Sequence, residues 1–259
     1  MEKIWKKVAV ITGASSGMGR EFANLIDREL TCIDEIWLIA RRRDRLEEVR
    51  DEIHKPSLII CSDVSEDSFA DYYRKMLKQE RAGIKLLINC AGYGIIGSVA
   101  ETGYDVSVGM VKTNCEGLTT VTQLSLPYML EKSRIINLAS SAAFLPQPDF
   151  AIYAASKSYV LSFSRALNVE LRERNIFVTA VCPGPVATEF FRIAEDGHKR
   201  AWFKDYFMAD CYSVVKQALE DSMARKELSI YGTAMKILYI LSKIIPHRII
   251  LKIMRIFSK

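Results

Sequence analysis

The sequence is poor in the residues that form metal sites and disulfide frameworks. It has only three histidines, and no two of its six cysteines stand in a C-x-x-C spacing, so no zinc-binding pattern is present. Cys61 and Cys182 end apolar runs, which is typical of small buried side chains in a reducing compartment. No histidine stands near a cysteine in a recognisable catalytic motif. We therefore expect no metal, no thiol catalysis and a cytoplasmic protein.

Long hydrophobic runs are missing too, and so is an excess of charge over most of the chain. No run of about 18 apolar residues would span a membrane as one helix, and the first residues lack the apolar stretch and cleavage site of a signal peptide. The formal net charge is +5, but residues 235–259 hold six basic and no acidic side chains. The rest carries 30 basic and 31 acidic residues, so we expect no nucleic-acid partner.

Apolar runs of strand length alternate with segments of helical spacing along much of the chain. The strand candidates are Val8–Thr12, Glu35–Ala40, Ser57–Cys61, Lys85–Asn89, Arg134–Ala139 and Ile176–Cys182. The helix candidates are Gly17–Leu30, Asp44–Ile53, Glu66–Glu80, Asp105–Glu131 and Ala151–Arg172. This alternation predicts βαβ units and a parallel sheet covered on both faces. Because no composition break divides the chain, we expect one α/β domain over residues 1–259, a doubly wound sheet of the Rossmann type.

The pattern changes after Pro183. Residues 188–211 are irregular and rich in aromatic side chains, and we interpret them as a substrate lid. Next we expect a helix over Ser213–Arg225 and a short strand over Leu228–Tyr231. Pro246 then divides residues 233–259 into two amphipathic helices.

A glycine-rich turn, Thr12-Gly13-Ala14-Ser15-Ser16-Gly17-Met18-Gly19, joins the first strand to the first helix. Glycine lets the backbone approach an anion and adopt positive φ. The start of the helix then offers free N–H groups and a positive dipole end to a pyrophosphate. The G-x-x-x-G-x-G spacing in this setting resembles that of the short-chain dehydrogenase/reductase family, although a purely structural turn stays open. The resemblance implies a nicotinamide cofactor held by Gly13, Ser15, Ser16, Gly17, Met18 and Gly19.

The end of the second strand indicates which nicotinamide cofactor is bound. NAD-binding folds place an acid there for the ribose 2′-hydroxyl, whereas NADP-binding folds place an arginine nearby for the 2′-phosphate. Here Ala40 stands at the position of the acid, and Arg41 and Arg42 follow it. The guanidinium fork suits a phosphate, so we predict NADP(H), with Arg41 as first choice and Arg42 as second. The alternative is a solvated charge run, which we expect of Arg43 and Arg45.

Further matches to the family follow the next strands. The resemblance implies that Asp63 and Val64 hold the adenine, although Asp63 or Ser65 could equally cap the next helix. Cofactor contacts are likewise implied for Asn89, Ala91, Gly92, Pro183, Gly184, Val186 and Thr188. The segment Asn89-Cys90-Ala91-Gly92 departs from the family's Asn-Asn-Ala-Gly at Cys90, which weakens the expectation for the hydrogen bonds of that turn.

Tyr153 and Lys157 stand at i and i+4, on one face of the predicted helix. Ser140 lies thirteen residues earlier, past the fifth strand, and Asn114 interrupts a helical segment in which asparagine is unfavourable. In the family, residues in this arrangement form the catalytic group. The resemblance implies that Tyr153 exchanges the proton, Ser140 binds the substrate oxygen, Lys157 binds the ribose, and Asn114 anchors a water. We expect the Lys157 ammonium and the nicotinamide to lower the pKa of Tyr153.

Aromatic side chains predict an apolar, bulky substrate, such as a steroid, lipid-derived or aryl ketone. The lid candidates are Phe190, Phe191, Trp202, Phe203, Tyr206, Phe207 and Met208, and the facing loops offer Tyr93, Ile95, Ile96, Phe144, Leu145 and Phe150. The same residues would equally serve to pack the lid or a subunit contact.

The prediction is therefore an enzyme that reduces a carbonyl with NADPH, or that oxidises the alcohol with NADP in the reverse direction. A non-catalytic NADP(H)-binding sensor or scaffold and a 3-oxoacyl-carrier-protein reductase are the alternatives. We expect a homodimer or homotetramer formed through Asp105–Glu131 and Ala151–Arg172, since related proteins pair through these helices. Arg248, Lys252, Arg255 and Lys259 share one face of the last helix. That pattern suits peripheral membrane contact, but we slightly favour a helix that only caps the domain or a subunit.

Overall fold

The computed structural model describes residues 6–195 and 208–257. Its strands are β1 Lys6–Thr12, β2 Glu35–Ala40, β3 Ser57–Cys61, β4 Ala82–Asn89, β5 Met129–Leu138, β6 Phe177–Val181 and β7 Leu228–Ser229. They form one parallel sheet in the order β3-β2-β1-β4-β5-β6-β7. This arrangement confirms the predicted doubly wound fold.

The helices connect the strands and cover the sheet. They are α1 Gly17–Glu29, α2 Arg43–Glu52, α3 Phe69–Glu80, α4 Tyr104–Val111, α5 Leu118–Ser125, α6 Ala151–Glu170, α7 Phe190–Ala194, α8 Cys211–Met223, α9 Thr233–Ile244 and α10 His247–Phe257. A π-helical turn, Lys112–Gly117, joins α4 to α5, and a 3₁₀ turn, Leu126–Tyr128, follows α5. Within residues 6–195 and 208–257, no helix is long and apolar enough to cross a bilayer.

Both faces of the sheet are buried, as its parallel strands require. All six residues of β2 are buried, and its successive side chains point to opposite sides. Leu38 packs in a cluster with Phe22 of α1 and Leu219 of α8. Trp37 packs on the other side, with Tyr73 of α3 and Leu167 of α6. The continuous apolar strands of the sequence are therefore explained by helices on both faces.

The helix predicted over Asp105–Glu131 was too long. Pro127 lacks an amide hydrogen and cannot continue a helix, and Leu126–Tyr128 forms a single 3₁₀ turn instead. Met129 then pairs with Ile84 of β4, so β5 begins five residues before the predicted strand. Residues 129–133, Met-Leu-Glu-Lys-Ser, give little strand signal. The strand is also irregular there, because its pairing with β4 shifts register between Met129 and Arg134 and Lys132 has φ +60°.

Other boundaries differ by a few residues, and the reason is visible for α8. The Asp210 carboxylate accepts a hydrogen bond from the Ser213 backbone amide at 2.9 Å, which caps α8 two residues before the predicted start at Ser213. Pro246 separates α9 from α10 as expected.

The strand order reverses between β1 and β4, which creates a crevice at the carboxyl ends of the strands. Thr12 fixes this point, because its hydroxyl accepts hydrogen bonds from the amides of Cys90 and Ala91, both at 3.1 Å. The turn after β1 and the turn after β4 are thus held together at the place where a ligand binds in such folds.

Candidate active site

A cleft opens along the carboxyl ends of the strands. Its lining includes Gly13, Ser15, Ser16, Gly17, Met18, Arg41, Arg42, Asp63, Val64, Ala91, Gly92, Ser140, Tyr153, Lys157, Pro183, Gly184, Val186 and Thr188. Most of the site residues expected from the sequence are therefore brought to one place. Gly19, Asn89 and Asn114 do not line the cleft, and their positions explain why.

The glycine-rich turn leaves no room for side chains at two of its glycines. Gly13 has φ +67°, and a Cβ there would lie 2.8 Å from the Ala91 nitrogen. A Cβ at Gly19 would overlap the Gly13 carbonyl, so Gly19 acts beneath the turn, by letting α1 approach it. No side chain caps α1, which leaves its first N–H groups available to an anion. The turn therefore fits the pyrophosphate of a dinucleotide.

Asn89 supports the cleft from behind. It is buried and donates hydrogen bonds to Thr122 Oγ1 at 2.9 Å and to Asn137 Oδ1 at 2.8 Å. Asn137 in turn donates to Ser164 Oγ at 2.9 Å. This buried chain ties β4 to α5, β5 and α6, so Asn89 positions the turn that follows it and does not itself face the cleft.

Arg42 and Arg41 occupy different positions. Arg42 donates to Ser16 Oγ at 3.0 Å, directly over the glycine-rich turn, and to both carboxylate oxygens of Glu189. The side chain of Arg41 is 69% exposed and lies 3.5 Å from Asp63. Arg42, the residue before α2, is thus turned toward the phosphate-binding turn, whereas Arg41 is turned toward Asp63.

Asp63 forms a local turn and does not cap a helix. Its Oδ1 accepts hydrogen bonds from the Ser65 amide at 2.9 Å and the Ser65 hydroxyl at 2.7 Å. Burial opposes ionisation of Asp63, but the bonds from Ser65 and the charge of Arg41 outweigh it and lower the pKa of Asp63. Since α3 begins only at Phe69, neither Asp63 nor Ser65 caps it, and Asp63 remains a charged acceptor at the cleft.

Three of the expected catalytic residues meet where β5 and α6 approach each other. Ser140 lies close enough to the Tyr153 phenol to lower its pKa. Lys157 Nζ lies 5.7 Å from the centre of the Tyr153 ring and donates to the Leu138 carbonyl at 2.7 Å. The Tyr153 ring stacks on Phe150 at 4.3 Å between centroids. The phenol, the serine hydroxyl and the ammonium thus converge on one part of the cleft.

Among the groups of the chain itself, burial governs the pKa of Tyr153. Burial raises it to about 12, and the nearby Ser140 only partly offsets this. Burial also lowers the pKa of Lys157 to about 8. Among the groups of the chain itself, desolvation outweighs any attraction between Lys157 and the phenolate. Tyr153 is therefore a neutral phenol at pH 7 and can donate a proton.

Asn114 lies in the π-helical turn, and its side chain makes three hydrogen bonds to the chain. Its amide nitrogen donates to the Tyr93 carbonyl at 2.9 Å and to Ser156 Oγ at 3.0 Å, and its Oδ1 accepts from the Tyr93 amide at 3.0 Å. A Cβ at Gly92 would lie 2.8 Å from that Oδ1 and 3.3 Å from Lys157 Nζ. Asn114 thus fixes the wall of the cleft beside Lys157, and π turns are frequent at functional sites.

Comparison with known proteins identifies the family. The sequence profile described as short chain dehydrogenase matches residues 7–198, well over half of the chain. The protein belongs to the short-chain dehydrogenase family. It is therefore an NAD(P)-dependent oxidoreductase, which confirms the resemblance seen in the sequence.

Individual relatives agree with this assignment. A protein of Staphylococcus epidermidis named as an uncharacterized oxidoreductase is 31% identical over 202 residues, which cover 77% of this chain and 86% of the relative. A short-chain dehydrogenase from Sphingobium yanoikuyae in complex with NADPH is 26% identical at a TM-score of 0.76, covering 89% of this chain and 90% of that chain. A family member from Burkholderia phymatum in complex with NAD, 24% identical at a TM-score of 0.79, covers 93% and 94% and supports the fold.

Some of the aromatic and aliphatic residues predicted to contact the substrate lie along the cleft. Tyr93, Ile96, Phe150, Phe190 and Phe191 line it. Phe144 and Leu145 do not: they are buried against the C-terminal helices. Ile95 packs near Tyr153 without lining the cleft, and Met208 is exposed. Trp202, Phe203, Tyr206, Phe207 and much of the proposed lid lie outside the described residues.

Sequence reasoning missed several residues of the cleft, among them Ser62, Gln147 and Glu189. Glu189 is the most consequential, because it holds Arg42. Glu189 stands beside two phenylalanines in a segment expected to cover the substrate. Nothing in this local pattern predicts its contact with Arg42, which is 147 residues away in the sequence. Cys90 also lines the cleft. Burial raises the pKa of its thiol to about 12, so it is an inert side chain where the family has asparagine.

Proposed function

We propose that this short-chain dehydrogenase is an NADPH-dependent reductase of apolar ketones or aldehydes. The single observation that carries the proposal is the meeting of Tyr153, Ser140 and Lys157 in a cleft whose other end holds Arg42 over the phosphate-binding turn. The cofactor end and the catalytic end are thus parts of one continuous surface.

Preference for NADPH rests on charge at the cofactor end. Ala40 lines the cleft where an acid would repel a phosphate, and Arg42 lies 3.0 Å from Ser16 of the turn. A guanidinium here would donate to the 2′-phosphate, and Arg41 would add charge from a more exposed position. Asp63 and Val64 would contact the adenine, and Lys157 the ribose of the nicotinamide.

When bound, NADPH would supply the hydride, and the residues of the chain would bind and polarise the carbonyl. Ser140 would donate a hydrogen bond to the substrate oxygen, which makes the carbonyl carbon more electrophilic. Tyr153 would then give its phenolic proton to that oxygen as the charge develops. Because burial holds the pKa of Tyr153 near 12, the phenol carries its proton at pH 7 and can donate it when the carbonyl is reduced. Asn114 would anchor a water that returns the proton through Lys157.

The nature of the substrate follows from the lining. The charged side chains of the cleft, Arg41, Arg42, Asp63 and Glu189, lie toward the cofactor end, and Lys157 lies beneath Tyr153. The opposite end is formed by aromatic and aliphatic side chains from the loop after β4 and from α7. Such a surface would bind aryl, lipid-derived or steroid carbonyls through apolar contacts.

A screen of NADPH consumption tests the proposal. Purified protein would be offered aryl, aliphatic, steroid and 3-oxoacyl carbonyls with NADPH or NADH, and Tyr153→Phe would be run in parallel. We expect turnover of apolar carbonyls that depends on Tyr153. Binding of NADPH without any turnover would favour the sensor or scaffold, and turnover restricted to 3-oxoacyl thioesters would favour the carrier-protein reductase.

We also propose a homodimer or homotetramer. Large apolar side chains are exposed on the helices expected to pair. They are Tyr104, Val106 and Val111 of α4, and Tyr159 and Val169 of α6. Burying them between subunits would be favourable, and closed symmetric assembly is common. Light scattering at micromolar concentration tests this, and a monomer would contradict it.

A further inference from the structure

The C-terminal helix α9 is apolar on two separate sides. Its inner side packs on the body of the protein: the rings of Tyr239 and Phe144 lie 5.0 Å apart, and Met235 lies against Gly184. Its outer side carries Ile237, Ile240, Leu241 and Ile244, which are between 43% and 71% exposed. A surface helix normally has polar residues opposite its buried face, so the outer side of α9 has no partner among the residues that the structure describes.

The outer apolar residues form one continuous stripe. Positions 237, 240, 241 and 244 follow the i, i+3, i+4, i+7 spacing of a single helix face. The stripe continues past Pro246 with Ile249 of α10, which is 50% exposed. We call these five side chains, Ile237, Ile240, Leu241, Ile244 and Ile249, the isoleucine stripe.

Positive charge flanks the isoleucine stripe on one side of α9, where Lys243 lies 5.5 Å from the centre of the Tyr239 ring, and continues along α10. Lys236, Lys243, Arg248 and Lys252 are exposed on the same two helices. Residues 235–259 contain no Asp or Glu. Within residues 6–195 and 208–257, none of these four cations is paired with a carboxylate. The segment therefore combines an apolar stripe with unneutralised cations, while the rest of the chain is close to neutral.

We propose that the isoleucine stripe and its four cations bind the surface of an anionic lipid bilayer. The isoleucines would enter the boundary between headgroups and acyl chains, and the cations would contact lipid phosphates. A second copy of this chain is a poorer partner, because pairing the two stripes about a twofold axis would bring two wholly basic segments together. A neutral apolar protein groove would leave the cations without partners.

The position of α9 gives this binding a consequence. Its inner side packs on the segment that follows Ser140, and Met235 touches Gly184 at the edge of the cleft. Docking would therefore bring the active-site region close to the bilayer. If the proposed apolar substrate is correct, the enzyme would meet it there, but the binding itself does not depend on the reaction.

Vesicle sedimentation of the full chain at low salt tests the proposal. We expect the protein to pellet with vesicles of phosphatidylcholine and phosphatidylglycerol, and not with phosphatidylcholine alone. Binding should fall as salt is raised, because exposed charges are screened within about 8 Å at physiological ionic strength. No pelleting with anionic vesicles at low salt would overturn the proposal.

Two variants with the same net charge separate specific binding from simple attraction. The first variant replaces Lys236, Lys243, Arg248 and Lys252 with Gln. The second variant replaces four exposed cations elsewhere with Gln: Lys75, Lys78, Arg81 and Arg172. We expect at least about tenfold weaker binding for the first and little change for the second. Equal losses in the two variants would contradict a specific surface.

The apolar part is tested with Ile240→Asn and Ile244→Asn together. Both side chains are more than half exposed, so the thermal unfolding midpoint should stay close to that of the wild type while vesicle binding falls. If the double variant instead changes the oligomeric state in the absence of lipid, a second copy covers the stripe and the proposal is wrong.

Discussion

Arg42 donates hydrogen bonds to both carboxylate oxygens of Glu189, at 3.2 and 2.8 Å, and joins the start of α2 to the residue before α7. The Arg42 guanidinium holds the pKa of Glu189 down, at about 2, so the acid is charged at all working pH values. The carboxylate thus binds the same group that we assign to the 2′-phosphate of NADPH. Phosphate and carboxylate would compete for one guanidinium.

Replacing Glu189 with Gln should strengthen NADPH binding. Removal of the negative charge frees Arg42 and lowers the repulsion of the 2′-phosphate. NADH lacks this phosphate, so its affinity should not change. Because the site is partly exposed, we expect a several-fold to about tenfold gain for NADPH, at the lower end of charge-assisted hydrogen bonds. Fluorescence titration of both cofactors measures it.

Glu47→Gln is the matched control for this change. Glu47 lies on α2 beside Arg43. Its replacement removes the same charge as Glu189→Gln, but away from the cleft. Equal gains for NADPH and NADH in Glu189→Gln, or an equal gain in the control, would show that Glu189 does not compete with the phosphate.

Replacing Arg42 with Ala should weaken NADPH binding by about 1.5–3 kcal/mol, the range for hydrogen bonds to charged groups. NADH binding should change little, since only the 2′-phosphate is lost as a partner. Arg41→Ala, in the neighbouring exposed position, should have a smaller effect. Titration calorimetry with both cofactors compares the two variants, and a larger loss for Arg41→Ala would restore the order suggested by the sequence.

The fold could be predicted from the sequence because the central strands of the sheet are largely buried on both faces and appear as apolar runs. The start of β5 at Met129 was missed because residues 129–133 give little strand signal. The contact of Arg42 with Glu189 depends on how α2 and α7 meet in three dimensions. The raised pKa of Tyr153 likewise depends on packing by Phe150, which spacing along the chain does not express.

Tyr153→Phe should leave NADPH affinity nearly intact and reduce turnover by at least about a hundredfold, the lower range for general acid catalysis. The change removes the proton donor beside Ser140 but keeps the ring between Phe150 and Phe190. Steady-state kinetics of carbonyl reduction, together with cofactor titration, measure the two effects separately. Near wild-type turnover in this variant would remove Tyr153 from the mechanism.

Lys157 should make stability depend on pH in a defined window. Burial lowers its pKa from 10.5 to about 8 in the folded protein, so between these values the unfolded chain binds more protons than the folded one. Stability must then rise with pH across that window. Below pH 8 both states are protonated, and the cost of burying the charge is constant.

The comparison with Lys157→Met isolates this effect from the titration of other groups. From pH 8 to 10.5 the wild type should gain unfolding free energy relative to the variant, by up to about 3 kcal/mol for a shift of this size. Urea unfolding at a series of pH values measures the difference. In the control variant Lys75→Met, on α3, the unfolding free energy should change with pH in the same way as in the wild type. If Lys157→Met also runs parallel, the Lys157 ammonium is not desolvated in the folded protein, and its part in the site must be assigned anew.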